Sequence, residues 1–186
     1  MSDEELMKQF CGGNTDAFQV LFDKYKNRIF SFIYAMYEHN ISKAEDCLQE
    51  TFIRAIKHRD SFNPTMRFST WLFAIAKNYC LNELRNNKRN LYQLDHNIAE
   101  KENSDFSSAE QILGQKELET LILQALSELP DTLRSVFIMR EINQLSYAEI
   151  AEISNLKESN IRIQLFRAKQ KLQKIITPYL ENKNEY

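Results

Sequence analysis

Glycine and proline are scarce in this chain of 186 residues, with three of each. That leaves little material for the many tight turns of a sheet protein. The apolar residues recur three and four apart rather than alternating, so the periodicity is helical. Cysteine is equally sparse and odd in number. Cys11, Cys47 and Cys80 show no C-x-x-C spacing, and His39, His58 and His96 stand apart from one another. Neither a disulfide framework nor a metal site is expected, and the thiols read as ordinary thiols of a reducing compartment.

Long apolar runs are also missing. No stretch reaches the roughly 18 apolar residues of a membrane span. The N-terminus, MSDEELMKQF, is acidic where a secretory signal would be basic and then apolar. A cytoplasmic location without membrane insertion is expected. Nothing matches a phosphate-binding Gly loop, a nucleophile elbow or a carboxylate-rich metal loop. No catalytic residue, cofactor, metal or small-molecule substrate is therefore expected, and the chain does not read as an enzyme.

What is present suffices for a core, with 43% hydrophobic against 27% charged residues. The net charge of −2 conceals a pattern. Residues 91–115 hold one Lys against five acids, whereas 159–180 hold Arg162, Arg167, Lys169, Lys171 and Lys174 with no acid. Lys77 to Arg89 is a second basic cluster, relieved only by Glu83.

Two helical blocks follow from the pattern. In residues 14–89, Phe18, Leu21, Phe22, Tyr25, Ile29, Phe32, Ile33 and Met36 form one helical stripe. Ser42-Lys43-Ala44-Glu45 has the form of a capping box and predicts a helix that stops near Asp60. Asn63-Pro64 forces a loop, and a third helix starts around Ser69. From Asn90 to Ser108 periodicity fades into a polar, acidic stretch that reads as a flexible linker. Ser107-Ser108-Ala109-Glu110 predicts another capped helix to about Glu128, and Pro130 marks the boundary of the next, over 131–142.

Ser146-Tyr147-Ala148-Glu149 is a third box. Ile150, Ala151 and Ile153 line one face of the short helix behind it. Asn155 suits a left-handed turn, and Leu156 is placed to fill the space between helices. A second helix begins at Glu158 or Ser159, with Ile161, Leu165, Ala168, Leu172 and Ile175 as its buried stripe. The segment reads as a helix-turn-helix whose second helix faces phosphate, or else as an ordinary helical hairpin with a solvated basic face.

Further motifs carry a resemblance. Ala44-Glu45-Asp46-Cys47-Leu48-Gln49-Glu50-Thr51-Phe52-Ile53-Arg54-Ala55 resembles the polymerase-binding helix of region 2 in bacterial sigma factors. Phe68-Ser69-Thr70-Trp71-Leu72-Phe73-Ala74-Ile75-Ala76-Lys77-Asn78, followed by Leu84-Arg85 and Lys88-Arg89, resembles the −10-reading and melting helix of that region. Leu129-Pro130 through Leu172 resembles region 4, the −35 reader. Two such blocks joined directly by a linker are similar to the extracytoplasmic-function (ECF) class.

The resemblance implies an all-α fold of two small helical domains: region 2 over 1–90, a linker over 91–108, and region 4 with its helix-turn-helix over 109–186. It implies core RNA polymerase, promoter DNA and an anti-sigma factor as partners. Asp46, Gln49, Glu50 and Arg54 would form the polymerase face, with Leu48, Phe52 and Ile56 on the buried side. Asn63, Arg67, Ser69, Lys77, Asn78, Arg85, Lys88 and Arg89 would serve the −10 element, Asn78 by reading the edge of an unpaired base. Trp71 reads as core. Ser159, Asn160, Arg162, Ile163, Gln164, Arg167 and Lys169 would serve the −35 element. Gln164 stands where the family often has Arg, an exchange that favours adenine. Ile163 and Phe166 are apolar where polar residues are common, which suits thymine methyls or an inhibitory partner. Glu158 has no reading in this scheme. The rival readings are a stand-alone helix-turn-helix regulator and a sigma-like adaptor that no longer binds DNA.

Overall fold

The computed structural model describes residues 1–94 and 121–183, and every regular element among them is helical. Helix α1 (Asp3–Cys11) is absent from the sequence expectation. A Ser2–Glu5 capping box starts it, and Leu6, Met7 and Phe10 are buried. Helix α2 (Thr15–Met36) follows the expected stripe from Phe18 to Met36, with Phe22 only partly buried.

Helix α3 (Ile41–Lys57) corrects the expected start. Its cap is Asn40, whose side chain accepts from the Lys43 amide at 3.0 Å, so the apparent box at Ser42 lies inside the helix. It also ends before Asp60, at Lys57, and a 3₁₀ turn occupies Arg59–Ser61. Helix α4 (Phe68–Leu94) runs past residue 90, into the stretch expected to be linker. The Ser107 box and the rest of that linker lie outside the described residues.

The second block opens with α5, described over 121–127, and continues into α6 (Asp131–Phe137), which passes into a π-type turn at Ile138–Ile142. Helix α7 (Tyr147–Ser154) carries the predicted Ser146–Glu149 box. Asn155 ends it at φ 52°, ψ 47°, and α8 (Glu158–Lys183) follows. Ala151, Ile161, Leu165, Ala168 and Leu172 are buried as expected. Leu156 is not: it is exposed rather than wedged between helices.

The two blocks are packed together. One continuous apolar cluster joins Leu21, Phe32, Phe68 and Phe73 of the first to Val136, Ile138, Met139, Leu145, Ile150 and Ile153 of the second. A smaller cluster, built on Ala125, Leu126, Leu129, Ala168 and Leu172, holds the second block itself together. Helix α7 lies on α4, and the π-type turn lies on α2.

Candidate nucleic-acid and partner interfaces

Helix α3 presents a polar face. Asp46 and Gln49 are exposed, and Glu50 and Arg54 are partly so. Glu50 and Arg54, one turn apart, are bonded at 2.8 Å, and the Arg54 guanidinium also lies over the Tyr79 ring of α4, 4.7 Å from its centre. Arg54 is thereby fixed in direction rather than free in solvent. On the opposite side Phe52 is buried and Leu48 packs on the core, but Ile56 is 37% exposed. Ile56 thus joins the outward face with Ile53, contrary to the expected buried role.

The loop before α4 is braced from three directions. Phe62, Phe68 and Trp71 form an aromatic group with ring centres 5.3 to 6.1 Å apart, which gives Trp71 the packing role expected of it. Asn63 folds the loop on itself, accepting from the Thr65 amide at 3.0 Å and the Thr65 hydroxyl at 2.9 Å. Helix α1 supplies the third brace: Glu4 accepts from the Phe68 amide at 3.2 Å, capping α4 from a distant part of the chain. Sequence reading missed Glu4 because it missed α1, although the Ser2–Glu5 box was legible.

The residues expected to meet the −10 element fall into two groups. Asn63, Asn78, Arg85 and Arg89 are exposed, and Ser69 is partly so. Arg67, Lys77 and Lys88 are engaged with the second block. Arg67 pairs with Glu149 at 3.1 Å, and Lys88 pairs with Asp131 at 2.8 Å. Lys77 is only 8% exposed and donates to the Ile153 carbonyl at 3.3 Å. Burial depresses its pKa, because the charged ammonium has lost water without gaining an acid.

On α8 the exposed face carries Ser159, Asn160, Arg162, Ile163, Phe166, Arg167 and Lys169. Ile163 is 49% and Phe166 61% exposed, unusual for side chains of that size. Gln164 is only half-exposed, beside buried Leu165. Arg162 is oriented by two neighbours. Its guanidinium lies 4.1 Å from the centre of the Tyr147 ring, and Glu158 pairs with it at 3.4 Å. Glu158, the residue without a reading, thus steers Arg162 from the first turn of the helix, where a carboxylate is also favoured by the helix dipole. Arg140 contacts the same Tyr147 ring at 4.7 Å and donates to the Leu145 carbonyl. Lys169 pairs with Glu141 at 2.9 Å. Tyr147 and Arg140 lay outside the sequence expectation, which followed α8 alone.

Among the described residues no group of His, Cys, Asp and Glu could hold a metal ion. No helix there is long and apolar enough to cross a membrane. Cys47 and Cys80 are buried thiols whose pKa is raised chiefly by that burial.

Comparison with known proteins bears on the whole chain. Residues 21–90 match Sigma-70 region 2, and residues 119–172 match Sigma-70, region 4. The chain is 35% identical over 182 residues to the ECF RNA polymerase sigma factor SigW of Bacillus subtilis, covering 94% of this chain and 96% of that protein. Among solved structures, CnrH in complex with the cytosolic domain of CnrY superposes with a TM-score of 0.70 at 23% identity, covering 96% of this chain and 99% of CnrH. The sigma factor RpoE of Bartonella quintana, solved with the anti-sigma factor NepR, gives 0.67 at 22% identity, covering 86% and 96%.

Proposed function

We propose, since this chain belongs to the ECF family of RNA polymerase sigma factors, that α3 docks on core polymerase and that α4 and α8 divide promoter recognition between them. An ECF sigma factor directs transcription initiation at its promoters. The proposal concerns which residues here do so. Region 2, over residues 1–90, would bind polymerase through Asp46, Gln49, Glu50 and Arg54. It would take the −10 strand with Asn63, Arg67, Ser69, Lys77, Asn78, Arg85, Lys88 and Arg89. Residues 91–108 would link it to region 4, over 109–186, which reads the −35 duplex with Ser159, Asn160, Arg162, Ile163, Gln164, Arg167 and Lys169.

The observation that carries this reading is the exposed face of α8. A helix whose other side is sealed by Ile161, Leu165 and Ala168 presents Arg162, Ile163, Phe166 and Arg167 outward, immediately after a left-handed turn. Such a face is shaped for the major groove: guanidinium groups suit guanine or phosphate, and apolar side chains suit thymine methyls. The chain supplies no chemistry in this scheme; polymerase does. An anti-sigma factor is the proposed inhibitor. Exposed Ile163 and Phe166 would be part of the surface it covers, as the Bartonella relative was solved with such a partner.

Run-off transcription with purified bacterial core polymerase on a promoter library tests the assignment. Sigma-dependent transcripts are expected, and their loss when Asp46→Ala and Glu50→Ala are combined is expected to follow loss of polymerase binding. Tight promoter binding without polymerase, with no transcript, would instead establish a stand-alone regulator. Absence of both activities would leave the adaptor reading.

A further inference from the structure

Helix α1 precedes the segment matched to Sigma-70 region 2, which begins at residue 21, yet it holds both ends of the −10 loop. That loop, residues 62–67, runs from the 3₁₀ turn at Arg59–Ser61 to the first residue of α4. Where the loop ends, the Glu4 carboxylate accepts from the Phe68 amide at 3.2 Å. Phe68 opens α4, so its amide is one of the donors that the helix cannot satisfy itself, and the helix dipole also favours a carboxylate there. Where the loop begins, the Arg59 guanidinium rests over the Phe10 ring, 5.6 Å from its centre, and the Cys11 thiol donates to the Arg59 carbonyl at 3.6 Å.

The clamp is itself anchored. Asp3 pairs with Lys24 at 2.6 Å and accepts from the Tyr25 hydroxyl, which ties the first turn of α1 to α2. The Tyr25 ring meets buried Phe68 edge-on, with centres 5.4 Å apart. At the other end of α1, Phe10 packs on Phe18 with ring centres 4.6 Å apart. Between the two held ends the loop exposes Asn63, Pro64, Thr65 and Arg67. A loop that captures an unstacked base binds more tightly when its shape is set beforehand, because ordering it on binding subtracts from the binding free energy. An acid beside a surface assigned to a nucleic acid opposes binding by its charge. Attraction to DNA therefore does not account for Glu4, whereas capping does.

We propose that α1 belongs to the −10 reader: it clamps the 62–67 loop at both ends, and Glu4 is the positioning residue that sets the loop's shape before the non-template strand arrives. This rests on the assignment of that loop to the −10 strand. Glu4 acts through the Phe68 amide and touches no base, so its removal should weaken base capture and nothing else.

The test uses the full chain assembled with core polymerase. Fluorescence anisotropy measures its affinity for a single-stranded non-template −10 segment from a promoter that the chain transcribes. An abasic site is moved along that segment, and the position where it costs most affinity marks the captured base. Glu4→Ala should reduce affinity for the intact strand about fivefold, the factor of a typical helix cap, and leave affinity for the strand abasic at the captured position unchanged. Glu4→Gln keeps an acceptor oxygen for the Phe68 amide and should restore the native value. Phe10→Leu removes the ring under Arg59 while keeping apolar bulk, and should reduce affinity for the intact strand about twofold. Polymerase binding and affinity for the −35 duplex should stay unchanged in all three. The control is Ile33→Val, a truncation of a buried side chain on α2. It should lower thermal stability without altering affinity for either strand.

Native affinity of the Glu4→Ala complex for the intact strand overturns the inference. An equal loss on intact and abasic strands also overturns it, because the effect then lies outside base capture. The same selective loss in Ile33→Val would reduce α1 to general stability. Failure of Glu4→Gln to restore binding overturns the cap as the cause, and a silent Phe10→Leu overturns the two-ended clamp. A native chain that transcribes and penalises the abasic strand, with Glu4→Ala silent, loses this inference alone. A native chain that yields no transcript, or shows no abasic penalty at any position, loses the assignment of the loop to the −10 strand and this inference with it.

Discussion

At Asn155 the backbone turns left-handed between α7 and α8, and its amide returns to the Ala151 and Glu152 carbonyls. A residue with a β-carbon is strained there, and asparagine tolerates the conformation better than most. Asn155→Ala is expected to destabilise the chain by about 1 kcal/mol, and Asn155→Gly to be close to neutral, measured by chemical denaturation. Asparagine's preference is local, which is why this turn was legible in the sequence. Leu156 was misread one residue later, because whether a side chain reaches the core depends on the crossing of α7 and α8 and not on its own type. Arg134 could not be read at all. Two of its acceptors, the Met36 carbonyl and Glu38, lie 98 and 96 residues away, and the first is a backbone atom with no sequence signature.

Helix α7 shows how much a single element carries. Its Glu149 closes the capping box on Ser146 at 2.8 Å and also pairs with Arg67 of the other block. Partial burial raises its pKa, but hydrogen bonds from Ser146 and the charge of Arg67 outweigh it, and the net shift is downward. A depressed carboxylate stabilises the folded chain at pH above its unfolded value, and that contribution is lost as pH falls through the folded value. Glu149→Gln should therefore lower stability at neutral pH by about 1 kcal/mol and flatten the acid limb of the stability profile below the ordinary glutamate range, both read by thermal unfolding.

At its N-terminal end the same helix offers Tyr147 to Arg162. If the ring fixes the guanidinium, Tyr147→Leu should weaken −35 binding by the polymerase complex, and Tyr147→Phe should restore it, with helix content unchanged by circular dichroism. The Ser146 box and the α8 stripe were plain in the sequence because both are set by neighbours within a turn. The same reasoning failed at Ser42, where Asn40 lay two residues upstream and captured the cap. It also passed over Ser2–Glu5, whose short helix adds Leu6, Met7 and Phe10 to the core and caps α4 through Glu4.

In the whole molecule, the relation between the two blocks is the feature that local pattern could not supply. Each block shows its own helical stripes, but the apolar cluster that runs through both, and the burial of Lys77 and Arg134 between them, appear only when the pair is assembled. Lys77 reports on that assembly. It lies between α4 and α7, shifted by burial, with no acid contributing to the shift. The unfolded chain therefore binds its proton more tightly than the folded chain. The Lys77 contribution to stability should rise with pH from its lowered pKa to the ordinary lysine value, and gain nothing beyond it. Lys77→Met keeps the length of the side chain and removes the desolvated charge. It should stabilise the folded chain by about 1 kcal/mol and abolish that alkaline gain, as followed by thermal unfolding across pH. The same substitution should weaken −10 strand capture by the polymerase complex, because it removes the phosphate contact proposed for Lys77. Unchanged capture would leave Lys77 as a packing residue between the two blocks and remove it from the DNA-contacting set.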